Sequence, residues 1–62
     1  MKRSKLIKHL ADYHCFIKRE GSKHSIVINA LTNKRTSIPR HNEIDDMLCN
    51  DICKQLDIQK IK

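Results

Sequence analysis

Apolar residues first recur at three- to four-residue spacing, at Leu6, Ile7, Leu10 and Ala11, which is the spacing of one face of an α-helix. Ser4 has the side chain of an amino-terminal cap, so the pattern predicts a helix over residues 4–13 with Lys2, Lys5 and Lys8 toward solvent. The rhythm then changes. Apolar residues bunch around Phe16 and Ile17 in a short strand over residues 15–19, and Glu20-Gly21-Ser22 reads as a turn. Residues 24–29, His-Ser-Ile-Val-Ile-Asn, are rich in β-branched side chains and give the clearest strand. Thr32-Asn33 offers the next turn and residues 34–38 a third strand, ended by Pro39, which has no N–H for a ladder. Beyond the loop Arg40-His41-Asn42-Glu43, a stripe of Ile44, Met47, Leu48, Ile52 and Leu56 predicts a second helix from about 45 to 56. Asp45 and Asp46 at its start and Lys54 near its end suit the helix dipole. Ile58 extends the packing, and residues 59–62 are expected to form a frayed tail.

Three strands on short turns, flanked by two helices, favour an α+β fold: an antiparallel three-stranded sheet with both helices on one face, which must be shielded from water. Period-two geometry puts His24, Ile26 and Ile28 on one face of the middle strand and Ser25, Val27 and Asn29 on the other. Which of these faces the helices cover is left open by the pattern. There is no internal repeat or linker, and residues 1–62 are expected to form one domain.

Composition narrows the possibilities. A chain of 62 residues buries only about 60% of the surface its unfolded form exposes. With Phe16 and Tyr13 as the sole aromatics, its core must come from Ile, Leu, Val, Met and Cys. Such a core has no room for a deep pocket around a large organic cofactor, so a partner is expected to lie across a surface. Apolar runs such as Cys15 to Ile17 and Ile26 to Ile28, which no other run exceeds, fall far short of the roughly 18 residues of a membrane span. The basic start, Met1-Lys2-Arg3-Ser4, does not lead into the apolar stretch of a signal peptide, and a cytoplasmic location is expected. Three cysteines without Cys-x-x-Cys spacing argue against a disulfide framework. Cys49 and Cys53, four apart, are candidates for zinc with His41 or His14, but their helix already uses its apolar stripe for packing, so they read as buried thiols.

Charge adds a direction. The formal net charge is +6, which favours a polyanionic partner. Residues 1–41 hold ten basic and two acidic side chains, residues 42–62 three basic and five acidic. The positive field belongs to the first two-thirds of the chain.

Read in order, Gly21-Ser22-Lys23-His24, then Lys34-Arg35-Thr36-Ser37-Ile38-Pro39-Arg40-His41, Glu43-Ile44 and Asp51-Ile52-Cys53-Lys54-Gln55-Leu56 resemble the HicA family, the toxin half of HicA–HicB toxin–antitoxin pairs. The resemblance spans about residues 4–58. It implies an α-β-β-β-α fold like that of double-stranded-RNA-binding domains and a ribosome-independent mRNA endoribonuclease that needs no metal or cofactor. It also implies silencing by a HicB-type antitoxin and one functional histidine, whose position His24 takes. The chain departs from the family in carrying Gly-Ser-Lys-His where Gly-Ser-His is common. His14, and Asp46 or Asp57, stand where the family often has glycine.

The chemistry such an activity requires can be matched to residues. A base takes the proton of a ribose 2′-hydroxyl, the oxygen attacks the adjacent phosphate, and cationic or N–H donors hold the developing charge. An imidazole titrating near neutrality suits proton transfer, which is the role the resemblance gives His24. Lys23, Arg19 and Arg35 are candidates for phosphate contacts, Ser22 and the backbone amides of the Gly21 turn for further donors, and Arg40 and His41 for RNA contact, His41 also as a second acid. Each has an ordinary alternative. Without the resemblance His24 is a plain strand residue, His41 a solvated loop residue, His9 and His14 surface or helix-end residues, and Lys2, Arg3, Lys5 and Lys8 either a solvated helix face or phosphate ligands. Gly21 is expected to supply positive φ to its turn. Two other functions compete: a non-catalytic RNA-binding module of the same fold, and a protein-interaction domain whose basic face meets an acidic partner.

Overall fold

A computed structural model describes residues 1–61, in the order α1 (Arg3–Asp12), β1 (Cys15–Glu20), β2 (His24–Asn29), β3 (Arg35–Pro39) and α2 (Asp46–Gln55). The strands form one antiparallel sheet in the order β1-β2-β3. In β2, Ser25, Val27 and Asn29 are buried while His24 is exposed and Ile26 half-buried, so the helices cover the Ser25-Val27-Asn29 face and leave the other open. The core joins Leu6 and Leu10 of α1, Cys15, Val27 and Ile38 of the sheet, Cys49, Ile52 and Cys53 of α2, and Ile44 and Leu56 from either side of α2. Both helices therefore sit on one face, as the pattern predicts.

The covered face carries polar side chains, and each is satisfied. Asn29 donates to the Leu56 carbonyl (2.8 Å) and accepts from the Leu31 amide (2.8 Å), tying the end of β2 to the end of α2. Ser25 bonds to Arg3 and Glu20. A buried polar group with its partners in place costs little; without them it would cost about 1–3 kcal/mol.

Several details differ from the sequence reading. The first helix begins at Arg3 with Lys2 in the cap position and no side-chain cap bond, so Ser4 is not the cap. Lys2 instead makes an isolated bridge to Glu43. In α2, Met47 and Leu48 are exposed and the stripe against the sheet is Cys49, Ile52 and Cys53. Gly21 has no positive φ. Its amide donates to the His24 carbonyl at 2.7 Å, and a Cβ on residue 21 would lie 2.7 Å from that oxygen, so close approach is what requires glycine. The left-handed backbone falls instead on His14, Asn33 and Asp57. The expected tail is anchored: His9 and Tyr13 bond to Gln59, and Ile61 packs against the core. Its last residue, Lys62, lies outside the described residues.

Candidate functional site

The open face is laid out in rows by the strand register. Phe16, Ile28 and Arg35 stand opposite one another in the first row. The second holds Arg19, Ile26 and Ser37, and in the third His24 pairs with Pro39. Pairing shifts between Ile17 and Arg19, leaving Lys18 as an extra residue in β1. This bulge restores phase so that Arg19 shares the open face with Phe16, where strict alternation would have turned it inward.

Three adjoining depressions run over this surface. The first is lined by Arg19, Gly21, Ser22, Lys23, His24 and Ile26. A second, across His24, is lined by Ser22, Lys23, His24, Pro39, Arg40 and His41. The third is lined by Lys18, Arg19, Ile26 and Arg35. Among the described residues no acidic side chain lines any of them, and the charged side chains that do are all cationic.

The turn that presents His24 is braced from below. Arg3 of α1 donates from Nη2 to Ser25 Oγ (2.8 Å) and from Nε to the Pro39 carbonyl (3.2 Å). Ser25 Oγ in turn donates to Glu20 Oε1. The Glu20 carboxylate also faces Arg3 (3.7 Å) and Arg40 (3.4 Å). Arg40 closes the circuit by donating from Nη1 to the Gly21 carbonyl at 2.8 Å. The Ser25 hydrogen bond is the chief cause that holds the Glu20 carboxyl below its ordinary range; burial opposes it, and the Arg40 and then the Arg3 charge add to the lowering. On the core side, burial pushes the Cys15, Cys49 and Cys53 thiols up, which keeps them protonated and unreactive. No three His, Cys, Asp or Glu side chains among the described residues gather as metal ligands would.

Of the residues singled out from the sequence, Gly21, Ser22, Lys23, His24, Arg40 and His41 meet around one imidazole. Arg19 lies beside them, and Arg35 stands at the far end of the same face. Arg40 is partly committed to Glu20 and Gly21. Arg3, grouped in the sequence with the solvent-facing lysines, turns inward to Ser25 and Pro39. The sequence reading missed the roles of Ser25, Glu20 and Lys18. Ser25 had a signal: a serine on the same face as Val27 needs a partner if that face is buried. The bulge at Lys18 had none.

A family model described as HicA toxin of bacterial toxin-antitoxin matches residues 3–58. No curated protein and no solved structure matches the chain.

Proposed function

The chain belongs to the HicA toxin family of bacterial toxin–antitoxin systems, and from that premise we propose that it is an mRNA endoribonuclease whose reacting group is His24. A toxin of this kind is made with an antitoxin that neutralises it, here of the HicB type. The observation that carries the reading is the position of His24: exposed, on the uncovered face of the sheet, between depressions lined by Arg19, Lys23, Arg40 and His41 and by no carboxylate.

In the proposed reaction His24 takes the proton of a ribose 2′-hydroxyl as its oxygen attacks the neighbouring phosphorus. A 2′-oxygen–phosphorus bond forms, the bond to the 5′-oxygen breaks, and the leaving oxygen takes a proton from an acid, for which His41 in the same depression is the candidate. Lys23, Arg19 and the Ser22 hydroxyl receive the charge that grows on the non-bridging oxygens; the Gly21 amide is already taken by the His24 carbonyl. Arg40, held against Glu20 and Gly21, fixes the turn and offers its remaining donors to phosphate.

The test is cleavage of a long RNA in EDTA by wild type and by His24→Ala. Wild type is expected to cut and the variant to bind without cutting. If both bind RNA and neither cuts it, the chain is the non-catalytic module and the proposal is wrong.

A further inference from the structure

Phe16 has no part in the chemistry just described, yet it is 54% exposed on the same sheet face as His24. Its cross-strand neighbour Ile28 is 7% exposed without belonging to the core cluster, so it is shielded by its neighbours on the open face. Phe16 and Ile28 thus make an apolar platform on a surface otherwise rich in cations. From Ile28 to His24 is four residues of strand, about 13 Å; the intervening row holds Arg19, Ile26 and Ser37, and Lys18, Arg19 and Arg35 line one depression with Ile26.

We propose that Phe16 is a stacking subsite for an unpaired nucleobase of the strand cut at His24, so that the RNA lying across the open face is single-stranded. This rests on the nuclease reading above. An aromatic ring at one end of a cationic track and the reacting group at the other match what a flexible strand offers, alternating phosphates and free π-faces. A duplex keeps its base faces stacked inside and has none to give to Phe16. An acidic protein would match the cations but would leave the ring's position unexplained.

The experiment uses proteins carrying His24→Ala, so that substrate survives, and measures binding of a short labelled single-stranded RNA and of the same sequence as a duplex. Adding Phe16→Ala is expected to weaken single-strand binding about ten-fold or more, adding Phe16→Tyr to preserve it, and duplex binding to be indifferent to both. Because the ring is half-exposed, circular dichroism is expected to show both variants folded. Unchanged single-strand affinity in folded Phe16→Ala, or an equal loss for duplex, overturns the subsite. If that happens while wild type still cuts RNA in a His24-dependent manner, the subsite fails and the nuclease stands. Wild type that neither binds nor cuts RNA overturns both.

Discussion

His24 and Ser25 are chain neighbours in β2 that belong to opposite sides of one sheet. Below lie Ser25, Val27 and Asn29, closed under two helices with the Ser25 and Asn29 side chains hydrogen-bonded. Above lie His24, Ile26, Arg19 and Arg35, beside depressions lined by cations and by no carboxylate among the described residues. The covered face answers to packing, so its residues are fixed by shape and by satisfied polarity. A 62-residue chain that leaves one sheet face uncovered has a single layer left for stability.

The largest expected effect compares adjacent residues across that divide. Val27 is fully buried, and Val27→Asp places a carboxyl where water cannot reach it, at a cost comparable with the roughly 3–9 kcal/mol total stability expected at this length. Circular dichroism is expected to show that variant unfolded, whereas Ile26→Asp on the open face stays folded. If Ile26→Asp unfolds equally, the two faces do not differ as described. The second contrast is functional. His24→Ala is expected to lower RNA cleavage by about 10²–10⁴-fold while urea denaturation shifts by no more than about 0.5 kcal/mol. A large loss of stability would mean that the imidazole serves the fold.

How far the sequence revealed this division can be judged from β2 itself. Alternation separated His24 from Ser25 correctly, and the element order and the sharing of one face by both helices followed from periodicity. What alternation could not supply was which face is covered. Each face presents isoleucine or valine, and the buried one has the more polar composition, with Ser25 and Asn29 flanking Val27. Their burial is tolerable because Arg3, Glu20 and the Leu56 carbonyl come to meet them, and these partners are 5 to 27 residues away in sequence. Met47 and Leu48 misled because hydropathy ranks them as core, whereas the helix face turned to the sheet is that of Cys49, Ile52 and Cys53. The residues around His24 were legible through the family resemblance. The brace beneath them and the bulge at Lys18 depend on three-dimensional partners that no local pattern encodes.

That brace joins the two faces, and a smaller effect is expected there. Ser25→Ala removes the hydroxyl shared by Arg3 and Glu20, and a loss of about 1–3 kcal/mol in urea denaturation is expected. The protein should remain folded, because the apolar core is untouched. Cleavage should fall as well, since Arg40 and the Gly21 turn are then held by a carboxylate that has lost its own anchor. Loss of stability with full retention of cleavage would show that the turn keeps its shape without the brace, and that the faces are less coupled than the hydrogen bonds imply.

The smallest expected effect titrates the same joint. In the folded protein the Glu20 carboxyl sits below its ordinary value of 4.5, chiefly because Ser25 donates to it and then because Arg40 and Arg3 stand near. The unfolded chain therefore takes up this proton first as pH falls, so the contribution of Glu20 is fully present above about pH 4.5. It declines below that value and is gone once the folded carboxyl is itself protonated. The carboxylate is solvent-exposed, so the decline should be shallow and further weakened by salt. Urea midpoints measured downward from neutral pH are expected to fall in that window for wild type, and to fall less for Glu20→Gln. If the two proteins trace parallel curves, the carboxylate does not couple the turn above to the serine beneath, and the hydrogen bonds of Arg3 and Arg40 to backbone carbonyls hold the turn by themselves.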